Sequence, residues 1–460
     1  MAVDTQLEAH ALGLSESVVM GVAGTAPAFS IAATTATLIA AVGALTPASL
    51  LYCGLIMFGV TFAYLHLNRV NPHAGAAYAW VGAIFNRTLG FFAGWALLVA
   101  SGVFMVSGTI PAATATLTLV APSLAAQPAV VALVAAAWLL VVSAVIIKGI
   151  KLTSYSQIAM TVTETLILVA LIVLAVVKFG AHPAHRLSWA WLSPGAFTPQ
   201  LFATGALTAL FFFWGWDVTV NLTEETRDAN HAPGRGALWA MLIVLALFMG
   251  FAAVILLVLS DAEIEQSSTN VIFAVAGKLL PRPWSYVAVV AVMLSTVGTL
   301  ETSILQFTRT LYAKGRDGML HARYATLHPT WRTPWVATVV IAAIGLVLLF
   351  GASFFPSINA IIKDSVNAIG FQVAFYYGLA GFACAWHYRR EALRSVFNAV
   401  FLVGWPLGSA LFLWFIAAYS VPTFDLTTNL VGLGGIAVGV VPLLFNRWSA
   451  ERGARLARDR

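Results

Sequence analysis

Gly21-Val22-Ala23-Gly24-Thr25-Ala26-Pro27 sits near the middle of an apolar run that extends from residue 16 to residue 43. Two glycines and a proline this close together argue for local unwinding of a helix. Inside a bilayer, unwound backbone survives only where it faces a cavity or buried protein. A second interruption, Phe211-Phe212-Phe213-Trp214-Gly215-Trp216-Asp217, places a glycine among aromatics and ends on a carboxylate within the run 200–222. Taken singly, the first also reads as a proline kink and the second as a core aromatic patch. Their positions relative to the other apolar runs carry more weight.

Those runs occupy most of the chain. Of 460 residues, 60% are hydrophobic and 9% charged, with a mean hydropathy of +0.89. Soluble domains carry about 25% charged residues, so a soluble enzyme, a disordered chain and a collagen-like chain are excluded. The apolar fraction also disfavours an outer-membrane barrel, whose strands alternate polar and apolar residues. Windows of about 19 residues give twelve expected spans, at 16–43, 48–67, 88–120, 127–147, 154–177, 200–222, 236–260, 284–312, 335–352, 356–386, 398–419 and 427–446. The expected fold is an all-α polytopic membrane protein. Residues 1–15 hold Asp4 and Glu8 but no Lys or Arg, so the first span is expected to act as its own insertion signal.

Basic residues orient the bundle. Nineteen of the 24 Lys and Arg, including Arg69, Lys148, Arg235, Lys314, Arg389 and Arg452, fall on one side under this topology. That bias predicts an inner-membrane protein with both termini in the cytoplasm. It also accounts for the +6 net charge without nucleic acid. Cys53 and Cys384 lie in apolar runs and form neither a disulfide framework nor a zinc ribbon. The polar stretches 179–199, 223–235, 261–283 and 313–334 are too short for a large soluble domain.

If spans 1–5 and 6–10 are two halves, about 15–180 and 200–390, each half begins with a glycine-interrupted helix. Five is odd, so the halves would be inverted, and paired interruptions of this kind point to a transporter site at the midplane. Spans at about 398–447 would be accessory, and the whole chain one transmembrane domain.

Three acids lie deep in spans without a comparably deep Lys or Arg: Glu164, Asp217 and Glu301. Each costs at least about 2.5 kcal/mol to insert, so they must be protonated, hydrated or matched by a cation that comes and goes. Hydrogen bonding to neighbouring Ser, Thr or broken backbone is the competing structural explanation. Ser295, Thr296 and Thr299, with carbonyls freed in span 1, could line a sodium site, although Ser/Thr-rich helices more often serve packing. An intramembrane enzyme finds no support. No H-E-x-x-H is present, and the histidines, among them His66, His231 and His387, lie in loops or near span ends. No cofactor or resident metal is expected.

Three motifs resemble the amino acid–polyamine–organocation transporter superfamily. Asn71-Pro72-His73-Ala74-Gly75-Ala76-Ala77-Tyr78 is similar to its P-x-x-G-G-x-Y pattern. Trp216-Asp217, then Thr223-Glu224-Glu225-Thr226-Arg227 with Pro233 and Arg235, resembles its G-F-E … E-E … P-R-A run. Arg309-Thr310-Leu311-Tyr312-Ala313-Lys314-Gly315-Arg316-Asp317-Gly318-Met319-Leu320 is close to its R-x-L-Y-A-x-x-R-D-G-x-L. The resemblance implies an inverted five-helix (LeuT-like) repeat with helices 1 and 6 unwound, and alternating access driven by a proton or sodium gradient.

It also assigns roles. Gly24, Thr25, Ala26 and Pro27 would form the substrate-facing break, with backbone N–H groups available to an anionic group. Phe213, Trp214 and Trp216 would make an aromatic gate or cation–π wall, and Asp217 and Glu301 would serve as amine counter-charges. Two departures matter. The helix 1 segment lacks the second glycine of the G-S-G-like element that holds a substrate carboxylate. Where some members carry a helix 5 Lys, this chain has Glu164, which can still carry a proton. The expectation is a proton-coupled carrier of an amine-bearing metabolite, a polyamine, organic cation or cationic amino acid. A neutral amino acid permease or exchanger is the alternative, with sodium coupling left open.

Overall fold

A computed structural model of the chain describes residues 6–267, 271–352 and 358–446, together with Phe354 and Trp448. Among the described residues the regular secondary structure is all helical, apart from one isolated bridge between Leu12 and Thr226. The first span is two helices, α1 (Leu14–Thr25) and α2 (Pro27–Val42). Next come α3 (Thr46–Val70), a short α4 (Ala77–Ile84), α5 (Arg87–Val120), α6 (Pro128–Ile147) and α7 (Ile150–Phe179). The sixth expected span is α8 (Pro199–Phe211) and a single turn, α9 (Val218–Asn221). After α10 (Ala232–Val258) come two short helices, α11 (Asp261–Ser267) and α12 (Val271–Leu279). Then follow α13 (Val287–Arg316), α14 (Trp335–Ala352) and α15 (Ile358–Tyr388). Two further helical spans, Val396–Thr423 and Leu426–Asn446, close the described chain.

Among the described residues, eleven helices are long and apolar enough to cross a bilayer. The expected span at 200–222 is not one of them, because its break leaves two pieces that are each too short. The division expected at Pro356 lies outside the described residues, as does Arg452. The longest helix, α5 with 34 residues, measures ~51 Å at 1.5 Å per residue. It overruns a hydrocarbon core of about 30 Å and carries Pro111 within it.

Local chemistry explains the helix starts. Pro27 opens α2, and Pro128 and Pro199 open α6 and α8. The first position of a helix tolerates proline because its N–H has no intrahelical partner. Thr198 Oγ1 accepts the Leu201 N–H at 3.1 Å, and Asn86 Oδ1 accepts that of Leu89 at 2.9 Å. These are ordinary N-caps.

The two breaks meet each other. Ala26 adopts φ 48° between α1 and α2, and Gly215 adopts φ 103° between α8 and α9. A Cβ on Gly24 would stand 2.1 Å from the Gly215 carbonyl oxygen, and one on Gly215 would stand 2.2 Å from that of Gly24. Neither position has room for a side chain, so backbone touches backbone where both helices are interrupted.

The stretch expected as a polar loop at 261–283 contributes the two short helices α11 and α12. Val271, Ile272, Val275, Ala276 and Leu279 lie on one face of α12 and are buried, with α12 packed on α2. Its nine residues make about two and a half amphipathic turns, too short for a span-length window to register. The small-residue pair Gly90/Gly94 packs closely on α4, where a Cβ would meet Gly82 Cα at 2.5 Å and Tyr78 Cβ at 2.8 Å.

Candidate functional site

The break in span 1 creates orphan backbone groups at both of its ends, and each has a traceable partner. Among the carbonyls, Val22 O accepts from Thr25 Oγ1 at 2.8 Å, Gly24 O from Thr299 Oγ1 at 2.9 Å, and Thr25 O from Ser30 Oγ at 2.9 Å. Among the N–H groups, Ala26 donates to Ala23 O at 3.1 Å, and Pro27 has none to give. The first free donors of α2 are therefore Ala28 and Phe29. Ala28 donates to Glu164 Oε1 at 2.8 Å, and Phe29 to Ser295 Oγ at 3.2 Å. The donors expected at Gly24, Thr25 and Ala26 are thus displaced two residues along the chain, and they are already occupied.

Glu164 is 1% exposed and sits at the N-terminus of α2, where the helix dipole and free N–H groups favour an anion. Ser295 shares that terminus, and Thr299, one turn along α13, bonds the other side of the break. Thr296 turns back to its own helix, donating to Val292 O at 2.6 Å. Two of the three residues considered for sodium thus face the break and one does not.

The second break carries Asp217, fully buried. Its Oδ1 accepts from Tyr377 Oη at 2.8 Å and its Oδ2 from Tyr376 Oη at 3.1 Å. Tyr376 in turn accepts from Trp214 Nε1 at 2.8 Å. Trp216 stacks on Tyr377 with ring centroids 5.5 Å apart, and Tyr64 lies edge-on to both rings. Trp214 continues through Phe104 to Phe29, just past the first break. This is a carboxylate set in an aromatic wall, with spare acceptor lone pairs. Phe213 is not part of it: its ring packs edge-on against Phe248 of α10, at 5.4 Å.

Glu301, 2% exposed, is held elsewhere. Ser156 Oγ of α7 donates to its Oε1 at 3.1 Å. Glu301 therefore lies in the α7–α13 seam that also holds Glu164, rather than with Asp217. Sequence reasoning missed Tyr376, Tyr377, Ser156 and the Ala28 and Phe29 donors. The consecutive aromatics Phe375, Tyr376 and Tyr377 in α15 were the available signal for the tyrosines.

Apart from Trp216-Asp217, which stays at the second break, the three quoted motifs converge at one end of the bundle. Arg309 makes a bidentate bond to Glu225, Nε to Oε2 at 2.9 Å and Nη2 to Oε1 at 2.8 Å, with both side chains fully buried. Arg316 grips Glu224 through Nη1 at 2.7 Å, and the same carboxylate accepts the Ala74 N–H at 2.9 Å. Asn221 Nδ2 reaches Ala74 O at 2.8 Å and Thr310 Oγ1 at 3.2 Å. Burial opposes ionisation of Glu224, but the Arg316 guanidinium and the Ala74 N–H outweigh it and hold the carboxyl below its usual range. The stretch before α1 is stitched to the same place, with Leu12 N–H donating to Glu225 O at 3.0 Å and Arg227 N–H to Leu12 O at 2.8 Å. These contacts tie α1, α9, α13 and the loop before α4 into one clamp.

A family model described as amino acid permease matches residues 11–441. The chain belongs to the amino acid permease family. Its members are transporters, so this is an integral multi-pass membrane protein of the amino acid–polyamine–organocation superfamily and not an enzyme. Among curated relatives, the low-affinity putrescine importer PlaP of Escherichia coli (strain K12) is 25% identical over 371 residues, covering 77% of each chain. The serine/threonine exchanger SteT of Bacillus subtilis (strain 168) is 23% identical, covering 71% of this chain and 70% of its own. The branched-chain amino acid permease BcaP of Lactococcus lactis subsp. cremoris (strain MG1363) is 24% identical, covering 72% of each. Permeases of this family thus include carriers of both amines and neutral amino acids.

Proposed function

We propose that this permease is a proton-coupled secondary transporter for an amine-bearing metabolite: a polyamine, a related organic cation or a cationic amino acid. The observation that carries this reading is the bond from Ala28 N–H to Glu164. A helix N-terminus exposed at a break is an anion site, and here the protein's own carboxylate fills it. A zwitterionic substrate, a cationic amino acid included, would have to displace a buried carboxyl group to place its carboxylate there, so within this class a polyamine or related organic cation fits best. A substrate whose ionic groups are ammonium has no such conflict, and Asp217 among Trp214, Trp216 and Tyr64 suits it by charge and by ring-face attraction. The putrescine importer among the relatives fits the same chemistry.

Glu164 is the proton carrier in this reading. Protonation would weaken its bond to Ala28 and remove the charge from the α2 terminus, an interaction worth up to about 2 kcal/mol in a partly buried setting. Loosening α2 relative to α1 about Ala26 would then link proton binding to alternating access. The two halves, about 15–180 and 200–390, act as an inverted repeat with the 398–447 spans accessory. The basic-residue bias supports an orientation with both termini in the cytoplasm, and this reading puts the protein in the inner membrane.

Uptake of labelled diamine into proteoliposomes under an inward proton gradient, with wild type and Glu164→Gln, tests the coupling. Loss of gradient-driven uptake by the variant is expected; undiminished uptake removes Glu164 from the proton path. The serine/threonine exchanger and branched-chain permease among the relatives favour one other reading, a neutral amino acid carrier with Ser295 and Thr299 binding sodium at the break. Sodium-dependent uptake of a neutral amino acid would establish that instead.

A further inference from the structure

The seam between α7 and α13 holds more polar chemistry than either helix needs for packing. Along α7, Gln157, Thr161 and Glu164 recur at four- and three-residue spacing on one buried face. Along α13, Ser295, Gly298 and Glu301 recur at three-residue spacing and are also buried. The faces oppose each other in order. Ser156 bonds Glu301, and Gln157 Nε2 lies 2.8 Å from where a Gly298 Cβ would stand. Glu164 and Ser295 take adjacent N–H groups of α2.

Gln157 is the unexplained member. It is fully buried, and both its Nε2 and its Oε1 lack a hydrogen-bond partner. Leaving a buried amide unpaired costs several kcal/mol, so a side chain chosen only for packing would be apolar. Gly298 supplies the recess the amide occupies. A group with one free donor and one free acceptor, between two carboxylates in a low-dielectric seam, orients water. The distance suits that role, because Gln157 and Glu164 are seven residues apart, or ~10 Å along the helix axis, too far for direct transfer.

We propose that Glu301, Ser156 and Gln157 form a hydrated proton file that connects Glu164 to the membrane face bearing Glu8 and Lys151. Those two residues form an ion pair at 2.7 Å, with Lys151 about one and a half turns before Ser156 on α7. The inference rests on the reading of Glu164 as the proton carrier. In the transfer step, the Glu164 carboxyl loses its proton to a water held by Gln157, and the Glu301 carboxylate gains one from the same water chain. Glu164 ends ionised on the Ala28 N–H and Glu301 ends neutral, from where the proton leaves past Ser156 to bulk. Gln157 accepts and donates hydrogen bonds without changing its own protonation. It is a positioning residue.

The test separates net transport from exchange, since substrate exchange across a loaded vesicle needs no net proton movement. Proteoliposomes carrying Gln157→Leu, Gln157→Glu or Glu301→Gln are assayed for gradient-driven uptake and for exchange of labelled against unlabelled substrate. The expected result is at least a tenfold loss of gradient-driven uptake in Gln157→Leu and Glu301→Gln with exchange within twofold of wild type. Gln157→Glu, which restores a water-binding group, should recover part of the uptake. Retention of both activities, or parallel loss of both, overturns the file. Glu164→Gln in the same assay keeps the two ideas apart. If it retains gradient-driven uptake, the proton reading itself fails; if it loses uptake while the Gln157 and Glu301 variants do not, only the file fails.

Discussion

Glu164 Oε1 accepts the backbone N–H of Ala28 at 2.8 Å, so helix α7 supplies the cap for a helix that starts 137 residues earlier in the chain, at Pro27. A break in span 1 is therefore not an open anion site. It is closed by a carboxyl group the protein carries itself, and in the proposed mechanism this governs which ligands suit it and how a proton could move its halves.

Asp217 provides the first prediction. Its two oxygens accept one tyrosine hydroxyl each, which leaves lone pairs for an ammonium. Bonds to charged groups are worth about 1.5–3 kcal/mol. Asp217→Asn should weaken diamine binding at least roughly tenfold, read as a reduced ligand-induced rise in thermal stability. Unchanged diamine affinity would take Asp217 out of the site.

The glycine contact between the breaks yields the second. Gly24→Ala or Gly215→Ala forces a methyl into a backbone carbonyl about 2 Å away, and overpacking typically costs about 1–3 kcal/mol. Gly215→Ala adds the penalty of a positive φ. Both variants should melt earlier in detergent and lose transport, whereas Gly277→Ala, where a Cβ meets nothing within 4 Å, should do neither. Normal transport by Gly24→Ala would show that the breaks do not need this contact.

Much of this was legible in the sequence, for reasons that also explain the gaps. Long apolar runs announce spans because no water-soluble fold tolerates them. Gly24, Pro27 and Gly215 announce breaks because their backbone chemistry is local. The cap on α2 was hidden: its donors belong to Ala28 and Phe29, which look like ordinary apolar residues, and its acceptor is far away in the chain. Tyr376 and Tyr377 were concealed within an aromatic stretch. Glu301 looked equivalent to Asp217 because both are buried acids, yet depth in a span does not say which neighbour a helix face meets. The family-like motifs were recognisable by type, but the gathering of Glu224, Glu225, Arg309 and Arg316 into a clamp at one end needed three dimensions.

That clamp supports a third prediction. Arg309 and Glu225 are both fully buried, and removing one partner of such a pair typically costs about 3–5 kcal/mol because the other charge is stranded. Arg309→Met should destabilise strongly, and adding Glu225→Leu should recover much of the loss. A double variant no more stable than Arg309→Met would show that the pair is not coupled.

Acid should loosen the same clamp. Arg316 and the Ala74 N–H hold Glu224 below its usual range in spite of burial. Its stabilising contribution is therefore complete at neutral pH, above the unfolded-state value of about 4.3, and is lost as pH falls through the lower folded value. Thermal unfolding followed from pH 7 down past about 4 should show a decline that Glu224→Gln flattens. Identical pH profiles would dissociate Glu224 from the clamp's stability.

The central claim is that the substrate presents ammonium groups and no carboxylate to the occupied α2 terminus. The most direct measurement is competition for labelled putrescine uptake in proteoliposomes held under an inward proton gradient. An amine carrier takes up the diamine, is inhibited by other diamines, and is indifferent to excess serine, threonine or leucine. Absence of diamine uptake, together with gradient-driven accumulation of one of those neutral amino acids, would contradict it.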